Sequence, residues 1–381
     1  MSSQLTSFVG AKVFDGKSLL DDHGLLTEAG RVVAVLPRAN LPQTPCQQVL
    51  TGGILMPGYV DLQVNGGGGV MFNDDPSPEA LNIIAKAHSQ IGATSILPTL
   101  ITDSAKHTAA AINAVERALA NGTRGILGLH LEGPHLSLAR KGAHDPDLIR
   151  AMSDEDMAVL LDAAKRLPLL KITVAPETVT PAQIKTLATA GVLISLGHSD
   201  AGFDLCQEAA KAGARCVTHL FNAMSPLGNR EPGLVGAALA TGGLSAGLIA
   251  DTIHVHPQSM ALALRAKQGP GRIFLVSDAM ATAGSAIDGF ALNGRWITRS
   301  GNKLTLEDGT LAGAHLDLTT AIRNVLSLPG QTLPEVLAMA TAYPAQLIAR
   351  QGHVGTFAKG ARADILHLSD DLMLRQVWQG D

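Results

Sequence analysis

Aromatic residues make up only 3% of this 381-residue chain, and charged residues only 16%. With so few rings, the core must be built from aliphatic and small side chains. That suits α/β packing better than a β-sandwich enzyme. No block of Lys and Arg occurs, no basic–aromatic alternation is present, and the formal net charge is −4, so nucleic acid is not an expected partner. Only three cysteines occur, Cys46, Cys206 and Cys216, with no CxxC pair among them. An odd, unpaired set fits free thiols and a reducing cytoplasm. The opening Met-Ser-Ser-Gln-Leu-Thr-Ser has neither a basic n-region nor an apolar h-region, which argues against secretion. The most apolar stretch, Leu234 to Ile253, is interrupted by Gly236, Gly242, Gly243 and Gly247 and runs into Asp-Thr-Ile-His. It reads as a helix, a loop and a buried strand, and no membrane association is expected.

What is abundant is glycine (40 residues) and hydrophobic residues (46%), arranged as short apolar runs. Residues 8–14 and 32–36 look like strands, with a turn at Asp15-Gly16, a hairpin tip at 28–31, and a proline-bearing loop over 37–48. After Met56-Pro57-Gly58 the rhythm becomes strand, then helix. The runs are 59–64, 94–100, 126–131, 169–175, 192–196, 216–220, 244–250 and 272–276. Helix-start signals open several connections: Ser77-Pro78-Glu79, Ser153-Asp-Glu-Asp156 and Thr180-Pro181. Eight such units specify a closed (β/α)8 TIM-like barrel. The chain exceeds the ~250 residues of a bare barrel, so a companion unit is expected. Residues 56–355 are assigned to the barrel, with a β insertion near 287–312 followed by helices at 315–328 and 333–350. Residues 1–55 and 356–381 are assigned to a small β-sandwich formed by both termini.

Chemistry concentrates where the apolar runs stop. Glu132 follows Gly-Leu-His-Leu, His198 follows Leu-Ile-Ser-Leu-Gly, His219 follows Cys-Val-Thr, and Asp278 follows Ile-Phe-Leu-Val-Ser. In a barrel these positions share the C-terminal rim, where active sites are built. Alone, Glu132 fits a structural ion pair as well as a metal ligand. Joined by two imidazoles it makes a ligand set for Zn²⁺ or Fe²⁺ with at least one position open. Asp278 would cap the next helix or, in a metal hydrolase, carry the proton between water and leaving group. Gln63 and Asn65 end the first run as neutral groups, read as substrate or water contacts, with a structural turn close behind as the reading for Asn65. The Gly66–Gly69 run is not a phosphate loop of the GxxxxGK[ST] kind. Arg230 and His254 lie on expected rim loops and are compatible with anion recognition, although exposed arginines and packed histidines are common without function. His135, His144, His256 and His315, each taken alone, read as structural or solvent-facing.

Several longer stretches, in order, resemble one known family. They are Met-Pro-Gly-Tyr-Val-Asp-Leu-Gln-Val-Asn-Gly (56–66), His-Leu-Glu-Gly-Pro-His (130–135), Lys-Gly-Ala-His (141–144), Gly-His-Ser (197–199), Thr-His-Leu-Phe-Asn-Ala-Met (218–224), Gly-Asn-Arg-Glu-Pro-Gly (228–233), Ala-Asp-Thr-Ile-His-Val (250–255), Val-Ser-Asp-Ala (276–279) and Gly-Thr-Leu-Ala-Gly (309–313). The family is the N-acetylglucosamine-6-phosphate deacetylases of the amidohydrolase superfamily. The resemblance implies hydrolysis of the acetamide of N-acetylglucosamine 6-phosphate to glucosamine 6-phosphate and acetate, in amino-sugar catabolism or cell-wall sugar recycling. It implies metal ligation by Glu132, His198 and His219, with Asp278 as catalytic acid and base. It implies substrate contacts at Ala143, His144, Asn222, Ala223, Arg230, His254, Leu311, Ala312 and Gly313, beside Gln63. The superfamily's usual His-x-His is replaced here by Gln63-Val64-Asn65. That substitution implies one divalent ion per subunit, Zn²⁺ or Fe²⁺, and disfavours a cyclic-amide hydrolase. A homodimer in which Arg230 reaches the neighbouring site is also implied. The alternatives carried are an epimeric substrate such as N-acetylgalactosamine 6-phosphate, and a non-catalytic barrel serving as an assembly partner. Loss of a ligand or of the acid/base would favour the second, and none is lost. His315 stands where related sequences often have a small residue.

Overall fold

The computed structural model describes residues 4–380. Eight parallel strands form one sheet in strict sequence order: Val60–Val64, Ser95–Ile101, Leu129–Glu132, Leu170–Val174, Leu193–Leu196, Cys216–Val217, Ser245–Leu248 and Ile273–Leu275. A parallel bridge between Val64 and Ala279 brings the last segment back to the first and closes the barrel. All eight expected strands are present, most of them shorter than the run that announced them, while Ser95–Ile101 and Leu129–Glu132 each reach one residue beyond it. The run 216–220 is the extreme case, keeping only two strand residues because His219 and Phe221 leave the extended conformation, with φ of 27° and 78°.

The helices between strands begin where the sequence signals them. Ser77 accepts a hydrogen bond from the Ala80 amide at the start of Pro78–Gln90. Ser153 with Asp156, and Thr180 with Gln183, form reciprocal capping boxes at Asp154–Arg166 and Pro181–Thr189. One expected helix is interrupted. Residues 333–350 divide into Leu333–Met339 and Ala342–Leu347, because Thr341 leaves helical geometry with φ −134° and ψ −83°.

The termini fold against each other beside the barrel. A four-stranded sheet orders Arg31–Pro37, His23–Glu28, Thr6–Val9 and Cys46–Val49. A five-stranded sheet orders Leu374–Trp378, Ile365–Leu368, Ile54–Pro57, Lys12–Phe14 and Leu19–Leu20, so it joins the two ends of the chain. Phe8, Leu25 and Val32 from the first sheet pack with Val13, Leu55 and Ile365 from the second in one apolar cluster. Two local expectations fail here. The run 8–14 is two strands in different sheets, because Gly10 turns the chain at φ +93° and a β-carbon there would meet the Leu50 carbonyl oxygen at 2.2 Å. Residues 37–48 are not all loop, since Cys46–Val49 pairs in parallel with Thr6–Val9. Its Cys-Gln-Gln-Val sequence carries little of the apolar alternation by which strands are recognised.

The insertion is a three-stranded antiparallel sheet, Gly289–Leu292, Arg295–Ser300 and Lys303–Thr305. Its Phe290, Leu292, Ile297 and Leu304 pack on Met71, Met280 and Ala312, which seats it at the barrel mouth.

Candidate active site

The barrel rim brings Glu132, His198 and His219 to one point. Glu132 is the last residue of its strand, and each histidine follows its strand by two residues. His219 Nε2 lies 3.1 Å from Glu132 Oε1, His198 Nε2 lies 3.5 Å from the same oxygen, and the two imidazole nitrogens are 3.1 Å apart. Donors about 2.0–2.1 Å from a tetrahedral zinc stand roughly 3.3 Å from one another, so this spacing fits a single ion. The tautomer fits as well. His198 Nδ1–H donates to the Arg140 carbonyl at 2.8 Å, which leaves the Nε2 lone pair facing Glu132 and His219. All three residues are buried, and among the described residues this is the one His/Cys/Asp/Glu group with metal-ligand spacing.

The electrostatics follow from burial against pairing. Desolvation pushes the Glu132 carboxyl up, but hydrogen bonds to His198 and His219 and their charge outweigh it and hold Glu132 well below the usual carboxylate range. Burial pushes His219 down, and its bond to Glu132 more than compensates, so its pKa is raised. Asp278 shows the opposite balance from Glu132. Burial first, then the charge of Glu132, raise its pKa above the ordinary value. A buried carboxyl whose proton affinity is raised in this way, beside a candidate metal site, is suited to proton transfer.

Gln63 and Asn65 aim that carboxyl. The Gln63 side-chain amide donates to Asp278 Oδ1 at 3.0 Å and to Glu132 Oε1 at 3.2 Å, and Asn65 donates to Asp278 Oδ1 at 2.7 Å. Both donors fall on Oδ1. Beneath the rim a line of hydrogen bonds crosses the strands: Thr99 to His130 Nδ1 (3.1 Å), His130 Nε2 to Thr173 (2.7 Å), Thr173 to Thr218 (2.7 Å) and Thr218 to Ser195 (2.6 Å). These polar groups would be costly to bury singly, and each is satisfied by its neighbour.

A cavity of about 400 Å³ opens over the cluster. Asn65, Ala143, His144, Asn222, Ala223, His254, Asp278, Leu311, Ala312 and Gly313 all line it, together with the three cluster residues. Gln63 lies one layer below and reaches the cavity through Asp278. Arg230 does not line it; it is exposed on the loop after Met224. His144 is held by Thr102, whose hydroxyl lies 2.8 Å from Nδ1, and burial pushes its pKa well below the ordinary value. His254 Nδ1 lies 2.6 Å from Asp251 Oδ2. His315 is elsewhere, 2.9 Å from the Thr282 hydroxyl on the wall of a separate cavity.

Sequence reasoning missed Arg140. It lines the cavity, pairs with Asp200 at 2.8 Å, and gives its carbonyl to His198. Its position eight residues after Glu132, in the same rim loop, was the available signal. It also missed the strain at the site. His198, Asp278 and Ala223 take φ of 48°, 50° and 48°, and Thr252 takes 65°, values that L-residues adopt only where the surroundings compel them.

The sequence profile of the amidohydrolase family matches residues 54–378. The chain belongs to the amidohydrolase family. It is 44% identical over 329 residues to an N-acetylgalactosamine-6-phosphate deacetylase of a Shewanella species, covering 86% of this chain and 82% of that one. It is 32% identical over 363 residues to an N-acetylglucosamine-6-phosphate deacetylase of Haemophilus influenzae, covering 94% of each. A solved structure of N-acetylglucosamine-6-phosphate deacetylase from Pasteurella multocida superposes with a TM-score of 0.94 at 34% identity and 98% coverage of both chains. Amidohydrolases are metal-dependent hydrolases, and the Glu132–His198–His219 cluster of this one can hold an ion. Among the described residues no helix is long and apolar enough to cross a membrane.

Proposed function

We propose that this amidohydrolase removes the acetyl group of N-acetylglucosamine 6-phosphate, giving glucosamine 6-phosphate and acetate, in amino-sugar catabolism in the cytoplasm. The observation that carries the reading is the convergence of Glu132, His198 and His219 beside Asp278 at the floor of a cavity large enough for a sugar. Those three residues would hold one divalent ion, which we take to be zinc, and such an ion would polarise an amide carbonyl and acidify water. Asp278 takes the proton of the attacking water on Oδ2 while Gln63 and Asn65 hold Oδ1. The same carboxyl then returns the proton to the departing nitrogen, which leaves as an amine. His144, Asn222 and the backbone at 311–313 line the remaining wall and orient the sugar.

A second reading is supported by the Shewanella relative, whose name gives the galactosamine epimer as its substrate. Purified enzyme incubated with N-acetylglucosamine 6-phosphate and N-acetylgalactosamine 6-phosphate, with free amine measured, decides between them. Release from neither sinks both readings and leaves the assembly-partner alternative.

The cavity wall supplies little free positive charge for a phosphate, since Arg140 is already paired with Asp200. We infer that Arg230, exposed beside the exposed Leu227, is delivered to the cavity of a second subunit, making the working unit a homodimer. We also propose that the two-sheet body formed by the termini is a separate domain, 1–55 with 356–381, set beside the barrel of 56–355.

A further inference from the structure

Seven of the eight seams between neighbouring barrel strands are parallel ladders. The eighth, between Ile273–Leu275 and Val60–Val64, rests among the described residues on the single bridge of Val64 with Ala279. Asp278 lies in that seam, one residue before the bridge, at φ 50°. A proton carrier in the least laddered part of the barrel needs other means to hold its place.

Asp61 supplies them from the first strand. Its carboxylate is fully buried, and both oxygens lie 3.2 Å from the backbone nitrogen of Ser277. Oδ1 also accepts the Gln63 N–H at 3.2 Å. The side chain takes the part of a ladder carbonyl, accepting the N–H that the last strand turns toward the first. Beside it the Ser277 hydroxyl donates to the Gln63 carbonyl at 3.4 Å, and the same carbonyl accepts the Asp278 N–H at 3.1 Å. A buried carboxylate is costly and persists only where donors satisfy it. Burial pushes the Asp61 carboxyl up to about 7, against the pull of the Ser277 and Gln63 N–H groups. An apolar residue would avoid that cost but would leave the Ser277 N–H without this acceptor.

We propose that Asp61 is a positioning residue that clamps the Ser277–Asp278 backbone to the first strand and so aims the Asp278 carboxyl at the Glu132–His198–His219 cluster. The role of Asp278 rests on the hydrolase reading above; the clamp on its backbone does not.

Asp61→Asn tests the clamp while keeping the side chain's shape. Because both oxygens meet the same N–H, either orientation of the new amide sets its NH2 against the Ser277 N–H, donor against donor. The seam should loosen there, while Glu132, His198 and His219, placed by other strands, stay as they are. In zinc-loaded protein, hydrogen exchange over residues 276–281 should rise about tenfold in Asp61→Asn and be unchanged around His198 and His219. An unchanged rate over 276–281 overturns the proposal. In the wild type the Ser277 amide should exchange as slowly as the ladder amides of the sheet, and fast exchange there overturns it even if the variant fails to fold.

Steady-state kinetics and metal content give the second readout. In Asp61→Asn, kcat should fall about ten- to a hundredfold, the worth of a hydrogen bond to a charged group, with KM and bound metal little changed. Leu187→Ala supplies the comparison, a buried truncation on the helix Pro181–Thr189, which gives no residue to the cavity. It should lower the melting midpoint and leave kcat intact. A kcat loss in Asp61→Asn no larger than in Leu187→Ala, a rise in KM alone, or metal loss that matches the loss of kcat overturns the positioning role. If the wild type turns over neither amino-sugar phosphate, the hydrolase reading fails instead, and exchange still decides the clamp.

Discussion

The Gln63 side-chain amide bridges Glu132 and Asp278, 3.2 Å from one carboxylate oxygen and 3.0 Å from the other. One neutral donor thus stands between the anion of the candidate ligand set and the carboxyl proposed to carry the proton. The bridge sets a donor between two carboxyl groups, of which Asp278 has its pKa raised by burial and by the charge of Glu132. Gln63→Ala should therefore keep the bound ion but lower kcat by about ten- to a hundredfold, the worth of a hydrogen bond to a charged group. An unchanged kcat would show that Asn65 alone orients the carboxyl.

Metal content separates ligands from the proton carrier. Elemental analysis of protein purified without added metal should give one divalent ion per chain, because three donors converge on one point. His198→Ala and His219→Ala should each lose most of it. Asp278→Asn should retain the ion and lose turnover by several orders of magnitude. A reproducible stoichiometry of two ions, or metal loss in Asp278→Asn equal to that of the histidine variants, would redraw the site.

Acid stability should depend on His88, which is buried beneath the loop that follows Asn65. Its Nε2–H donates to the Gly66 carbonyl at 2.9 Å, and burial pushes its pKa from 6.5 down to about 4. A folded value below the unfolded one means the unfolded chain binds the proton first. The contribution is complete above pH 6.5 and is lost as pH falls toward 4, about 3 kcal/mol over the window. His88→Gln can keep the donor without the titration, so its denaturation midpoint should fall less between pH 7 and pH 4 than that of the wild type. Parallel curves for the two proteins would assign the acid sensitivity elsewhere.

Much of this molecule was legible in its sequence for a physical reason: a parallel strand covered on both faces is mostly apolar, so a carboxylate or imidazole delivered at its end stands out, even where His130, Thr173 and Ser195 interrupt the runs. Glu132, His198, His219 and Asp278 stand out by that contrast, and the structure brings all four together. The parts that were illegible lack such a contrast. The strand Cys46–Val49 is polar and gains its place from pairing with Thr6–Val9. Thr341 looks like any helical residue, yet it takes φ −134° and ψ −83° between the two helices. Arg140 acts partly through its carbonyl, which every residue possesses. Asp251 is marked only by lying three residues before a histidine, and its contact with His254 spans the positive φ of Thr252, which no propensity foretells.

The phosphate makes the sharpest demand on the assembly. A phosphorylated sugar brings close to two negative charges to a protein that is itself net negative, so local cations must receive it. Within one chain the cavity offers Arg140, already engaged by Asp200, while Arg230 is exposed and off the wall. If Arg230 serves a neighbouring subunit, Arg230→Ala should raise KM for the phosphorylated sugar by about ten- to a hundredfold, the loss of a charge-assisted contact, and leave unphosphorylated N-acetylglucosamine nearly unaffected. The decisive measurement mixes two inactive or impaired chains. An Arg230→Ala subunit keeps Asp278, and an Asp278→Asn subunit keeps Arg230. In the hybrid dimer one of the two sites regains both groups, so activity at low substrate should rise above the sum of the separate proteins. Subunit exchange can be followed independently by mass-tagged chains. Hybrids that form without any gain in activity would place the arginine's action, if it has one, within its own chain, and Arg140 would then be the cation to test.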